Sequence, residues 1–232
     1  MRVRNRWRLL IGFIAGLAAL AWWQRSTRPL SRNMETVTSI RTRYEADVWQ
    51  RLAPDLRQAG FDTFPDRLAI LACKIPRRLT VYGYRDGWHQ IKTYPFTAMS
   101  GLPGPKLREG DRQIPEGIYQ VGYLNPNSSY HLSLQVNYPN AFDRERAAAE
   151  GRTQLGGDIF IHGKDVTIGC IPLGDPAIEE VFILAAAAYP QGIPVIIAPD
   201  DFRQQPWTPP ADASEWDIRL YTGIQTALQA FP

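Results

Sequence analysis

Apolar residues recur at Val37, Ile40, Tyr44, Val48, Leu52 and Leu56. Steps of three and four put them on one helical stripe. They predict a helix over residues 33–59, with a break or kink at Pro54, where an amide donor is missing. From residue 68 the texture changes. Residues 68–75 form an apolar run of strand length. Residues 78–85 alternate through Leu79 and Val81, Asp86-Gly87 signals a hairpin turn, and residues 88–97 return as a strand. Residues 100–117 are rich in Gly and Pro and read as a long loop. Residues 118–124, 130–136, 158–162 and 193–198 read as further strands. Residues 142–157 are polar and read as a loop with a helical turn over 145–150.

Asp175-Pro176 reads as a helix start, with Asp as the N-cap and Pro in the first turn; that helix runs to about residue 189. Pro206 to Pro210 is a stiff linker. Trp216, Leu220, Ile224, Leu228 and Phe231 form one stripe of a last amphipathic helix over residues 213–231. A β-rich middle, residues 68–200, therefore lies between a helical lead-in, 33–67, and a linker with a C-terminal helix, 201–232. No internal repeat interrupts this plan.

Composition changes the picture at one end. Of the chain's 26 Lys and Arg, seven are Arg within residues 1–32, which hold no acid. The other 19 face all 23 acids, so residues 33–232 are mildly acidic, a net of −4. The overall charge of +3 is thus no argument for a nucleic-acid partner. An apolar run from residue 9 to residue 23 follows the basic start. At 1.5 Å per residue it spans roughly 22 Å, short of the ~30 Å hydrocarbon core. It fits a signal peptide cleaved after Ala21, and it fits equally an uncleaved inner-membrane anchor held by Trp22-Trp23. Both readings put the rest of the chain in the periplasm.

The candidate chemistry lies in Ile161 to Pro172, I-H-G-K-D-V-T-I-G-C-I-P. The chain has two cysteines and three histidines, and this stretch places one of each eight positions apart. A thiol attacks as thiolate, and a neighbouring imidazole can take its proton. Strand alternation puts Ile159 and Ile161 on one face and Phe160 and His162 on the other. His162 then emerges at a strand end, Gly163 turns the chain, and residues 166–170 return Cys170 to its side. Gly169 frees backbone N–H groups for an oxyanion, and Thr167 holds the turn. The bland reading of the same residues is a buried thiol beside a satisfied histidine. Cys73 reads as core, although a bridge to Cys170 is open in an oxidising compartment. One His and one Cys make a poor zinc set, and no P-loop or dinucleotide fingerprint is present. No cofactor and no metal are expected.

With these residues the chain resembles the L,D-transpeptidase (YkuD-type) family, in its YafK-like branch of murein enzymes. The family pattern of His-Gly followed by [Ser/Thr]-x-Gly-Cys stands here as His162-Gly163 and Thr167-Ile168-Gly169-Cys170. Ser100-Gly101, Gly104-Pro105-Lys106, Glu109-Gly110-Asp111, Pro115-Glu116-Gly117, Asn125 to Tyr130 and Tyr138-Pro139-Asn140 also look like motifs of that branch. The resemblance covers residues 68–200. One departure is Ile168, where most members carry a second His.

The resemblance implies a mainly β fold with some α, a curved β-sandwich or barrel with short helices, flanked by N- and C-terminal helices. It implies peptidoglycan as partner and a stem-peptide diamino acid as the acylating residue. Cys170 would be the nucleophile and His162 the base, oriented by the Gly163 carbonyl. The N–H groups of Gly169 and Cys170 would hold the oxyanion. Tyr130, Tyr138 and Asn140 would touch substrate. A thioester resolved by water gives a hydrolase that releases an amide-linked group, such as a murein-bound lipoprotein. The same thioester resolved by an amine gives a transpeptidase. A non-catalytic murein-binding domain is the alternative of another class.

Overall fold

The computed structural model describes residues 34–232. The expected export segment lies outside the described residues. No described helix is long and apolar enough to cross a membrane.

Helix α1 (Val37–Gln58) starts with a capping box in which Thr36 and Ser39 satisfy each other's backbone N–H groups. Ile40, Val48, Leu52 and Leu56 of the expected stripe are buried. The helix continues through Pro54, so the expected break is absent. Eight strands follow: β1 (Leu68–Cys73), β2 (Arg78–Tyr84), β3 (Trp88–Pro95), β4 (Gly117–Asn125), β5 (Ser133–Val136), β6 (Phe160–His162), β7 (Ile171–Pro172) and β8 (Pro194–Ala198). They form one curled sheet in the order β3-β2-β1-β8-β4-β5-β6-β7. Helix α2 (Ala141–Ala149) precedes β6, α3 (Asp175–Ala188) lies between β7 and β8, and α4 (Glu215–Leu228) closes the chain.

Strand β1 is buried at all six positions because both its faces are covered. Leu68, Ile70 and Ala72 face a core shared with α1 and α3. Ala69, Leu71 and Cys73 face a second core with Leu220, Ile224 and Leu228 of α4 and with Phe231. Each fully buried Leu or Ile contributes about 1.5–3 kcal/mol relative to exposure. The C-terminal helix is therefore a wall of the folded unit.

Two readings of the sequence need correction. Residues 141–149 form a helix where a polar loop was expected, because Asn140 and Asp143 cap each other and Ala147 is buried. Arg146, also buried, pairs with Glu150 and with Asp217 of α4. Second, β5 begins at Ser133, after His131 adopts φ 73°. Strands β6 and β7 run parallel, Ile161 opposite Ile171 and His162 opposite Pro172. The turn at Gly163 and the return over residues 166–170 thus form a short crossover between parallel strands.

Candidate functional site

Parallel pairing of β6 and β7 decides the geometry. Cys170 directly precedes β7, and His162 lies opposite Pro172, two residues further on. Residues two apart along a strand share a face, so alternation carried one residue back from β7 sets Cys170 on the His162 side of this edge of the sheet. Ile159 and Ile161 enter the core, as their alternation requires. His162 ends β6, as expected, and is shielded from solvent. It is 2% exposed, covered by the exposed ring of Tyr130 at a centroid distance of 4.6 Å.

His162 Nδ1 lies 2.5 Å from the carbonyl oxygen of Gly163. A carbonyl can only accept, so Nδ1 carries the hydrogen and Nε2 presents its lone pair. Gly163 is required here for space. A Cβ would come within 2.6 Å of Asp175 Oδ1 and 2.7 Å of the Tyr130 carbonyl. Gly163 N–H donates to the carbonyls of Tyr130 and Leu132, which pins the Tyr130 turn to the end of β6.

The turn into Cys170 is built on one hydroxyl. Thr167 Oγ1 accepts from the N–H groups of Gly169 at 3.1 Å and Cys170 at 2.8 Å, and donates to the Cys170 carbonyl at 2.8 Å. Both N–H groups expected to face an oxyanion are therefore engaged with Thr167. Gly169 has φ 135°, which a side chain would strain, and a Cβ there would meet the Gln113 carbonyl at 3.2 Å. Gln113 thus walls the site through its backbone. No residue type could have signalled that contact in the sequence.

The loop carrying Gln113 is held by two ion pairs. Lys74 and Glu116, both fully buried, lie 2.9 Å apart. Lys74 also donates to the carbonyls of Gly104 and Ile114, and Tyr221 of α4 donates to Glu116. Lys106 donates to Asp111 at 2.6 Å, and Asp111 accepts the N–H groups of Leu107, Arg108 and Gln113. The branch-like motifs of residues 104–117 are thus the scaffold of this wall.

Burial sets the resting protonation. It pushes the Cys170 thiol up from 9.0, with Asp158 adding in the same direction against a hydrogen bond from the Phe160 backbone and the Lys106 charge. It pulls His162 down from 6.5 despite the Gly163 carbonyl. At neutral pH the pair rests as thiol and neutral imidazole, not as the ion pair the sequence suggested. The thiol hydrogen is directed at the Asp158 carbonyl, 3.5 Å from Sγ. Cys73 is free and buried, its thiol pushed up to about 12 mainly by burial, so no bridge joins the two cysteines.

Two expected substrate contacts use their polar atoms inside the fold. Tyr138 is buried, and its hydroxyl donates to the carbonyls of Lys106 and Leu155. Asn140 caps α2 and donates to the Ile118 carbonyl. The polar atoms of both are thus engaged within the fold. Of the three, Tyr130 packs its ring on His162.

Among proteins of known sequence, the YafK proteins of two Escherichia coli strains are 34% identical to the chain over 126 residues, 53% of this chain. The chain spans about half the length of these curated relatives, 49%. Among solved structures, the helical cell shape determining protein Pgp2 from Campylobacter jejuni is 20% identical. Its TM-score is 0.48, with 76% of each chain covered. L,D-transpeptidase 1 of Mycobacterium tuberculosis is 17% identical with a TM-score of 0.33, covering 57% of this chain and 62% of its own. The family model of the L,D-transpeptidase catalytic domain (YkuD) matches residues 69–197. That span is more than half of the chain and contains His162, Thr167 and Cys170, and the chain therefore belongs to the YkuD family of L,D-transpeptidase catalytic domains.

Proposed function

We propose that this chain is an exported cysteine enzyme that acts on peptidoglycan stem peptides through a thioester at Cys170. The observation that carries the reading is the shared face of His162 and Cys170, with Nδ1 of His162 tied to Gly163 and Nε2 free to accept a proton. The resting thiol is protonated, so its proton leaves during attack rather than before it.

In the acylation step Sγ of Cys170 attacks the carbonyl of the diamino acid. The C–S bond forms as the S–H proton passes to Nε2 of His162. The tetrahedral oxyanion collapses, the C–N bond breaks, and the departing amine takes the proton from His162. In the second step water attacks the thioester and gives a proton to His162. The C–S bond breaks, and the sulfur recovers that proton. The products are a free carboxyl on the stem peptide and a released amine-bearing group, such as a murein-bound lipoprotein. Water as the resolving group is favoured by Ile168, which is 79% exposed where a second imidazole would otherwise stand. An acceptor amine arrives protonated and must lose that proton, and His162 is the one candidate base beside Cys170.

Incubation of residues 33–232 with lipoprotein-linked muropeptides and with plain tetrapeptides tests the reading by mass spectrometry. Release of the linked peptide without new dimers is expected. Accumulation of cross-linked dimers with little hydrolysis would reassign the enzyme as a transpeptidase. No turnover and no Cys170 adduct with either substrate would leave the murein-binding alternative.

A further inference from the structure

Asp175 was expected to cap α3, and it does not. Gly174 occupies the N-cap position and makes no side-chain capping bond, while Asp175 sits in the first turn. Its Oδ1 accepts from the backbone N–H of Lys164 at 2.9 Å. That N–H and the Gly163 carbonyl are the two ends of one planar peptide unit. The carbonyl end accepts from His162 Nδ1 at 2.5 Å. A carboxylate, a peptide and an imidazole therefore form a continuous hydrogen-bonded chain.

We infer that Asp175 is a positioning residue for His162, acting on the imidazole through the Gly163–Lys164 peptide bond. The inference rests on the reading of His162 as the base for Cys170. A carboxylate on the N–H end draws electron density toward the carbonyl oxygen of the same amide, and hydrogen bonds in a chain strengthen one another. The Gly163 carbonyl thereby becomes a stronger acceptor for Nδ1–H. It fixes the tautomer and stabilises the imidazolium that forms when Nε2 takes the thiol proton. In a directly paired triad the carboxylate touches the imidazole. Here a peptide bond lies between them.

The surroundings fit this role. The Lys164 carbonyl is held by Thr97 Oγ1 at 2.9 Å and by Gly174 N–H at 3.0 Å. Leu173 N–H donates to the His162 carbonyl at 2.9 Å. The peptide is thus clamped on both sides and cannot rotate away from Asp175. Lys164 is held at φ 58°, a left-handed conformation that its neighbours over-determine. Its ammonium reaches the Ser129 carbonyl at 2.6 Å and lies 5.8 Å from the centre of the Tyr130 ring. The close approach that forbids a Cβ at Gly163 is made chiefly by Asp175 Oδ1 and the Tyr130 carbonyl. Tyr130 packs on the His162 ring, and Asp175 meets the Lys164 N–H of the peptide behind it.

Asp175→Asn keeps an acceptor oxygen and the side-chain shape but removes the charge. Asp175→Ala removes the acceptor. Asn should lower kcat about tenfold, the difference between a charge-assisted and a neutral hydrogen bond, and Ala should lower it further, with KM unchanged. The second readout is titration of the His162 ring by NMR. Losing the carboxylate destabilises the imidazolium, so the midpoint should move to lower pH in both variants, and the acid limb of kcat/KM should move with it. A merely structural role for Asp175 lowers the melting temperature and leaves that midpoint in place. An unmoved midpoint with kcat within twofold of wild type, in either folded variant, overturns the inference. The NMR arm needs no substrate. Failure of the thioester reading is seen separately, as wild-type protein without Cys170-dependent turnover.

Discussion

Cys73 and Cys170 are the same residue in two regions of one sheet, and they differ in what surrounds the sulfur. Cys73 ends β1 and faces the apolar layer under α4. Cys170 precedes β7 at the far end of the sheet, half-buried, in a turn held by the Thr167 hydroxyl. Burial raises both thiols. A depressed thiol pKa therefore does not distinguish the candidate nucleophile from the core residue. The proposed base His162, with Nδ1 tied to Gly163, and a fixed turn distinguish it.

The comparison breaks most sharply under alanine. Cys170→Ala should lower turnover of linked muropeptides by about 10⁴-fold or more, with circular dichroism unchanged. Cys73→Ala should keep kcat/KM and cost on the order of 1 kcal/mol in a denaturant titration. Equal activity in the two variants would remove Cys170 from the mechanism. Next in size is Gly163→Ala. The new methyl group must displace Asp175 or the Tyr130 carbonyl, and a shift of about 1 Å at the imidazole costs roughly a hundredfold in kcat. A folded variant with full activity would show that the close packing at Gly163 is unrelated to chemistry.

The pH profile sharpens the comparison without any substitution. In the proposed mechanism His162 must be neutral to react, and burial pulls it below 6.5. Turnover should therefore persist below pH 6.5 and fall only as the imidazole protonates. Thiol alkylation of Cys170 in the free enzyme should have its midpoint above pH 9.0. A labelling midpoint below 7 would mean a preformed thiolate–imidazolium pair. Thr167→Val then removes the acceptor of two N–H groups and should cost about 1–3 kcal/mol of stability, whereas Thr167→Ser should cost little. Calorimetry of the two variants checks this. The smallest effect is expected at Tyr138→Phe, with about 1 kcal/mol lost from the buried hydroxyl bonds and KM unchanged. A raised KM would restore Tyr138 as a substrate contact.

Local pattern was enough for much of this protein. The stripe on α1, the continuous apolar run of β1, the Asp86-Gly87 turn and the amphipathic stripe of α4 follow from side-chain period, which is a property of neighbouring residues. The candidacy of His162 and Cys170 was legible for a related reason. Eight residues separate them, and the glycines that punctuate the stretch limit where the chain can go. Family motifs in order along residues 100–170 then carried the fold.

Other features depend on residues that are distant in sequence, and only the tertiary structure decided them. Tyr138 and Asn140 are polar and sit in family-like motifs, and nothing local says that their atoms are consumed by Lys106, Leu155, Ile118 and α2. The Gly169–Gln113 contact is made by a backbone carbonyl, which every residue possesses. The acidity of Cys170 and His162 depends on burial beneath Tyr130 and the loop of residues 100–117, and desolvation has no signature in composition. Asp175 is the sharpest case. Its sequence position says helix start, but parallel pairing of β6 and β7 sets α3 against Gly163 and turns the carboxylate toward the peptide behind His162. Periodicity fixes which face a residue occupies. Which group meets it across that face is set by the packing of the whole sheet.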